Sequence, residues 1–512
     1  MSGLSGSRLA IVGGGATAVL LLDAIDRAGV RSPLQISVYE PRLVPGPGRP
    51  YGEDPDAALI NRPADRMSIR HTEPLDFVDW LKAATRQGHV AAVDPEARFQ
   101  PRWLFGAYLR ARLGELLARL AARGVRVEFH RATVDDIIHQ DGGFIVATSV
   151  TQARAYDAVV LCLGTPRPAD PYRLRGLPGF LADPYPLPEH VGTDGPVTVL
   201  GTNLTAMDLT TALLRRGRNA PILLMSRRGL VPSVRGPVAT AAPEAVEELT
   251  RVVRRTPPAG LWSATRRTLR RHLVLRQAEL TEVALDLTPG ERPADRLRRH
   301  LDRVDDPTCW RAGLLTLLDP VGELLWQRLP MVTRRHFLER VNPRVSQVLN
   351  PMPPSTAATL LQAVSDGRVE VIAGVTGVTP ARDGFVVAAG GRTYRTRTLL
   401  NAVRATHYDD GEPPGRLLAR LAGRGLARPH PCGGVHIDFD TNRIQGAPDG
   451  LYALGHPTAG DVYYANAGSL LGISARAEHI VRDMCPRNTH PPRPGRRRDI
   501  RGKPTATSSL GI

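Results

Sequence analysis

Residues 8–18, RLAIVGGGATA, and residues 196–206, PVTVLGTNLTA, are two versions of one pattern. In the first, RLAIV (8–12) is a short apolar strand, Gly13, Gly14 and Gly15 turn the chain, and Thr17 to Arg27 is apolar at helical spacing before Gly29. A second strand, Leu34–Tyr39, ends at Glu40, 27 residues after Gly13. The later copy repeats each step. Strand Pro196–Leu200 enters the turn GTNLTA (201–206), helix Met207–Arg216 ends at Gly217, and strand Pro221–Ser226 ends at Arg227-Arg228, 26 residues after Gly201. Both are βαβ units, and the first has the G-x-G-x-x-A spacing in which glycine allows a tight turn and close approach of a pyrophosphate.

The likeness extends downstream. VRVEFHRATVDDIIHQDGGFIV (125–146) leads to AYDAVVLCLGTP (155–166), and RVEVIAGVTGVTPARDGFVV (368–387) leads to TYRTRTLLNAVRAT (393–406). In each, a strand and a Gly-centred hairpin precede an apolar strand that runs to a loop. Repetition at this scale implies duplicated units. The expected fold class is α/β, with two Rossmann-like dinucleotide-binding domains, the second inserted in the first. The first domain is expected over 1–195, closing over 409–485, and the second over 196–408. Within the second, 240–350 reads as a helical insertion with helices at Ala242–Arg255, Leu261–Ala278, Pro293–Val304 and Val321–Val341. Arg266, Arg267, Arg270 and Arg271 form a basic stripe there, read as a solvated helix face. Residues 486–512, rich in Pro, Arg and Ser, read as a disordered basic tail.

A chain of 512 residues is too long for one ordinary domain, and its 42% apolar content excludes wholly disordered and collagen-like classes. The net charge is +17, but Lys occurs only at Lys82 and Lys503, so 65 of the 67 basic residues are Arg. With 49 Gly and 45 Pro, that skew looks like codon bias in a GC-rich bacterial genome and weakens a nucleic-acid reading. No nucleic-acid module is recognisable, and aromatics are only 5%. Cys162, Cys309, Cys432 and Cys485 are far apart and form no CxxC, so neither a disulfide scaffold nor a metal site is expected, and a cytoplasmic location fits. No apolar run approaches the roughly 18 residues of a membrane span.

At the first turn, Gly13, Gly15 and Ala16 are placed to hold the phosphates of a dinucleotide at a helix N-terminus, and Glu40 to accept hydrogen bonds from its ribose. At the second, Gly201 keeps the turn, Asn203 replaces the middle glycine, and Arg227 and Arg228 replace the acid. Arginine there suits a 2′-phosphate, hence NADPH.

These motifs resemble those of bacterial FAD/NAD(P)-binding flavoproteins that include nitrosuccinate-forming amino-acid N-monooxygenases. More distantly they resemble the ornithine and lysine N-hydroxylases. The resemblance rests on GGGATAV (13–19), PGPGRPYG (45–52), LINRPADRMS (59–68) and PRWLFGAYLRARL (101–113). It continues through VTVLGTNLTAMDLTTALLRRG (197–217), MSRRGLVP (225–232) and LYALGHPTAGD (451–461). The chain departs from the family at Asn203, at Asn401-Ala402-Val403-Arg404 in place of N-C-T-G, and at VSQVLNPMPP (345–354) in place of a His/Arg-rich segment. All three lie in or near the second nucleotide domain.

The resemblance implies further cofactor contacts from Arg49, Tyr51, Asn61, Met67 and Ser68, and from Asp461, Asn466 and Gly468 near the closing motif. Arg62, Arg70, His71, Arg102 and His407 are candidates for contact with a substrate amino acid. Hydride would pass from NADPH to the flavin, and no redox Cys pair leads electrons onward. The family then implies O2 as acceptor and a C4a-hydroperoxyflavin that oxygenates the amine of a small, aspartate-like amino acid. An oxidoreductase without oxygen insertion, or a flavin-binding protein with a decayed nicotinamide site, stays open as an alternative.

Overall fold

The computed structural model describes residues 7–485, apart from 32–33, 53–57, 91–93, 190, 192–194, 218–219, 238–242, 276–279, 307–308, 406, 410 and 464–466. The expected tail, 486–512, lies outside the described residues. Two five-stranded parallel sheets form the frame. The first has the order β16 (Leu451–Ala453), β7 (Ala158–Leu161), β1 (Ser7–Val12), β2 (Leu34–Tyr39), β3 (Val125–His130). The second has the order β11 (Val369–Ile372), β10 (Ile222–Met225), β9 (Val197–Leu200), β15 (Thr398–Asn401), β8 (Phe180–Leu181). Leu9, Ala10 and Ile11 are fully buried, as are Val197 and Val199. Strands covered on both faces read as unbroken apolar runs because neither face meets water.

Each sheet is covered in the same way. On one face of the first, helices Ala16–Arg27, Arg102–Ala122 and Leu470–Met484 share a core with Leu9, Ile11, Ile36 and Val160. On the other lies the antiparallel ribbon β4 (Val134–Gln140), β5 (Gly143–Thr148), β6 (Arg154–Tyr156), through Ile137, Phe144 and Val146. The second sheet has helices Leu204–Arg215 and Pro354–Ser365 on one face. Its other face carries the ribbon β12 (Val375–Ala381), β13 (Gly384–Ala389), β14 (Arg392–Thr396). The register shifts at the same place in the two ribbons, between Val134 and Asp136 in one and between Val375 and Gly377 in the other. The repeat in the sequence is thus a repeat in structure, down to a bulge.

Two expectations need correction. The sequence division began the second domain at 196, whereas its sheet takes β8 from Phe180–Leu181, a two-residue strand with no readable pattern. The single helix expected over Val321–Val341 is instead Gly322–Arg328, Met331–His336 and a π-turn at Phe337–Val341, and the chain stays helical over Asn342–Leu349. Leu329, before Pro330, is extended at ψ 135, as the proline ring demands of the residue ahead of it. The insertion also contains helices at Leu280–Leu287 and Trp310–Leu318 that the periodicity did not reveal. Arg266, Arg267, Arg270 and Arg271 are exposed, and Arg271 pairs with Glu248.

Helix Arg102–Ala122 presses against the loop that carries Arg49 and Tyr51. A β-carbon on Gly106 would lie 2.0 Å from the Tyr51 carbonyl oxygen and 3.5 Å from the Pro47 side chain. Gly106→Ala is expected to lower stability by at least about 1–3 kcal/mol, the usual cost of overpacking, because backbone must move. The urea midpoint measures the loss, and an unchanged midpoint would contradict this packing.

Candidate active site between the two nucleotide domains

Both βαβ turns depend on a glycine with positive φ, Gly13 at +104° and Gly201 at +118°. A β-carbon would come within 2.2 Å of the Cys162 carbonyl oxygen at Gly13 and 2.7 Å of the Ala402 oxygen at Gly201. Gly15 then caps helix Ala16–Arg27, with no side-chain cap and no acid in the first turn. Asn203 caps helix Leu204–Arg215 under the same conditions. Each helix therefore begins with an uncapped, positive N-terminal end that suits an anion.

Glu40 stands beside the first turn. Its Oε2 accepts the Gly14 N–H at 2.9 Å and its Oε1 the Arg42 N–H at 3.0 Å. Each oxygen keeps a lone pair for a ribose hydroxyl. The Gly-rich loop folds over this turn, with Gly48 Cα 3.2 Å from where a Gly15 β-carbon would be. These features fit a bound dinucleotide.

The second turn is more regular than its sequence suggested. Asn203 has φ −92°, so it needs none of the backbone tolerance expected of asparagine, and the left-handed angle sits at Gly201. Its Oδ1 is buried without a hydrogen-bond partner. Arg227 is exposed and Arg228 partly buried. Burial, then the charges of Arg344 and Arg227, lower the Arg228 pKa. None of the three has a carboxylate within ion-pair distance among the described residues. A cluster of unpaired guanidiniums at the end of β10 fits a phosphate.

A cavity of about 740 Å³ runs between the domains. From the first domain it is lined by Arg49, Asn61, Arg62, His456, Gly468 and Ser469, and from the second by Asn203, Leu204, Thr205, Ser233 and Arg235. The helical insertion closes one end. Trp326 Nε1 donates to the Gly460 carbonyl at 2.9 Å, Gln327 donates to the Asp461 carbonyl, and the Glu323 carboxylate accepts the Tyr463 N–H at 3.2 Å.

Several expected contacts lie elsewhere. Arg49 lines the cavity, but its guanidinium is used by Asp183, Thr165 and Pro166 at 3.0, 2.6 and 2.8 Å. Tyr51 packs its ring on Phe105, 4.9 Å between centroids. Met67 and Ser68 are buried in the first domain, Met67 in its apolar core and Ser68 accepting the Arg70 N–H. Asn466 lies outside the described residues. Of the substrate candidates, Arg62 alone lines the cavity. Arg70 is paired with buried Asp23 and with Glu73, and His71 bonds Ser474. Arg102 lies over the Tyr185 ring and 3.4 Å from Asp208, and His407 is exposed. Arg235 and His456 are two of the lining residues that the sequence reading did not single out. His456 stood inside a quoted motif, whereas Arg235 carried no signal among so many arginines.

Asp461 is turned away from the cavity wall. Its Oδ2 accepts the Ile437 N–H at 2.8 Å, and His430 Nε2 and His436 Nδ1 each lie 3.5 Å from the carboxylate. Burial pushes its carboxyl up, but the His430 and Ile437 hydrogen bonds and the imidazoles prevail and hold it below the ordinary range. These three residues have the spacing of a metal site. The Cys432 N–H, however, donates to His430 Nδ1 at 2.9 Å, which assigns the proton to Nε2 and leaves no lone pair there for a metal.

Residues 10–166 match the family described as FAD-NAD(P)-binding. No curated protein matches the chain in sequence. Among solved structures, the chain is similar to the FAD-bound cadaverine monooxygenase of desferrioxamine biosynthesis from Erwinia amylovora. The identity is 14% and the TM-score 0.56, over 98% of this chain and 99% of that one. It is also similar to the ornithine N-hydroxylase of Kutzneria sp. 744, solved with reduced FAD, NADP+ and L-ornithine. Here the identity is 15% and the TM-score 0.55, over 93% and 98% of the two chains. At these identities the likeness establishes a shared fold, over nearly the whole length of both chains.

His456 gives the site a measurable pH signature. Burial, then the charge of Arg404, pulls its imidazole down to about 4, against a backbone hydrogen bond to Ala467. The unfolded chain takes up this proton near pH 6.5 and the folded chain only near 4, so stability present above about pH 6.5 is lost as pH falls toward 4. At pH 5 the loss from this group is expected to be about 2 kcal/mol. His456→Gln should lose less stability than the unmodified chain between pH 7 and pH 5, read from urea midpoints. Equal losses would contradict the neutral, partly buried imidazole.

Proposed function

We propose that this protein is an FAD- and NADPH-dependent monooxygenase that N-oxygenates the amine of a small, acidic amino acid. The observation that carries the reading is the shared cavity. The loops of the first nucleotide unit and the turn of the second open into one space, where a nicotinamide can meet a flavin. The FAD-NAD(P)-binding match and the fold shared with two amine-oxygenating enzymes support it.

When bound, FAD supplies hydride acceptance from NADPH and, once reduced, reactivity toward O2. The chain's own residues bind and enclose. The N-terminal end of helix Ala16–Arg27 and Glu40 hold the adenosine side of FAD, and the uncapped turn at Asn203 and the guanidiniums of Arg227 and Arg228 hold NADPH. Glu323, Trp326 and Gln327 fix the 460–463 loop and close that end of the cavity against water. His456 stays neutral at working pH, so it adds no charge beside the arginines. All four cysteines are free; Cys162, Cys309 and Cys432 are buried, and burial raises the thiol pKa of each. That arrangement supports O2 over a protein disulfide as the acceptor.

Replacing Arg227 and Arg228 with Ala removes charge-assisted contacts worth about 1.5–3 kcal/mol each. NADPH affinity should fall by that amount while NADH affinity changes little, as measured by anaerobic flavin reduction. Equal use of NADH and NADPH by the unmodified protein would count against the assignment.

The reaction is tested with NADPH, air and a panel of amino acids beginning with aspartate, followed by mass analysis. Products that gain oxygen are expected, with a rate that rises with pH as the amine loses its proton. Hydrogen peroxide without any oxygenated amine would make the protein an NADPH oxidase toward that panel.

A further inference from the structure

We propose that Arg62 and Arg235, one from each nucleotide domain, form a clamp across the cavity for an oxyanion of the bound ligand, a carboxylate or a phosphate. The proposal rests on the two-nucleotide reading only in the choice of probes.

Among the described residues, seven arginines line the cavity; Arg66 and Arg404 are exposed to solvent, and three others are held by carboxylates. Arg49 pairs with Asp183, Arg303 with Glu282 and Asp306, and Arg311 with Glu282 and Asp286. Arg62 and Arg235 differ. Among the described residues neither guanidinium has a hydrogen-bond acceptor or a carboxylate within reach, and Arg235 Nε is buried without a partner. A buried donor left unpaired is costly, and a buried charge is ordinarily matched by an opposite one. Burial, then the charge of Arg62, lowers the Arg235 pKa to about 9, with Asp319 the one acid acting on it and too distant to pair. Two like charges thus face a common space that a ligand anion would neutralise.

Both arginines stand on fixed backbone. Arg235 N donates to the Met352 carbonyl at 2.9 Å, Met352 N to the Ser233 carbonyl at 2.8 Å, and Ser233 N to the Gln347 carbonyl at 2.8 Å. Arg62 lies between Ile60, whose N–H donates to the Gln100 carbonyl at 2.9 Å, and Ala64, whose N–H donates to the Arg98 carbonyl at 2.9 Å. Arg98 in turn donates to the Gly236 carbonyl at 3.2 Å and ties the two segments together. Such anchoring leaves less ordering to be done when the ligand arrives.

The test is titration of the FAD-loaded full chain with NADP+ and, separately, with succinate, followed by flavin absorbance and calorimetry. Arg235→Gln and Arg62→Gln should each weaken at least one probe roughly tenfold to a hundredfold, with FAD content retained. Arg235→Lys should recover part of the loss. Weakening confined to succinate assigns the clamp to a substrate carboxylate, and weakening confined to NADP+ assigns it to a cofactor phosphate. Should Arg235→Gln lose FAD, Arg62→Gln carries the same test from the other domain. The proposal is overturned if the variants bind both probes like the unmodified chain, or if the unmodified chain binds neither. Reduction of the flavin by NADPH is scored independently, so the clamp can fail while the oxidoreductase reading stands, and the reverse.

Discussion

The architecture depends on the absence of two β-carbons. At Gly13 and at Gly201 the chain leaves the central strand of a parallel sheet while pressed against the carbonyl that ends the neighbouring strand. Any side chain would push the strands apart, and the left-handed angle would add strain. With glycine in place, β1 and β7, and likewise β9 and β15, stay paired to their ends. The helix that follows begins just beyond the sheet edge, its first N–H groups turned to the crevice where the strand order reverses. Cofactor placement follows from that geometry.

Two such crevices give hydride transfer only if they face one another. The contacts that enforce this are polar and span the domains. Arg49 reaches Asp183, Arg102 approaches Asp208, and the Arg98 guanidinium meets the Gly236 carbonyl. The helical insertion adds a third layer, since Trp326 and Gln327 bond the backbone of the loop after β16. That insertion holds its own buried ionic core, in which Asp286 and Glu282 are surrounded by Arg296, Arg299, His300 and Arg311. Rather than an ornament on the nucleotide domain, it closes one end of the cavity.

The sheets, both glycine turns and the duplicated ribbons were legible because each leaves a local mark: an apolar run, a glycine, a hairpin. The insertion was legible only as helical. Its break at Pro330 is a local effect of the proline ring that an apolar period does not register, and its helix at Trp310–Leu318 depends on packing against distant segments, which periodicity does not carry. The candidate site was half legible for the same reason. Gly13, Gly15 and Glu40 stand on the motif itself, whereas Arg70, His71 and Arg102 were chosen by charge and by nearness in sequence. In the structure their charges and polar atoms meet Asp23, Ser474 and Asp208. A guanidinium is informative through its partner, and partners across a fold are not written in the chain.

The same reasoning gives the large positive charge its meaning. Composition attributes the excess of arginine to coding bias, and by that measure no single arginine stands out. Pairing separates them. Arg49, Arg303 and Arg311 on the cavity wall are held by carboxylates, and the exposed stripe on helix Pro258–Leu275 lies in solvent, where a charge is cheap to keep. The few that are both partly buried and unpaired sit at the end of β10 and on the cavity wall, where a phosphate and a carboxylate would each find an uncompensated charge. A neutral ligand would leave that desolvation cost standing, whereas an anionic one removes it on binding, so the electrostatics of the cavity favour acidic ligands whatever the origin of the arginines.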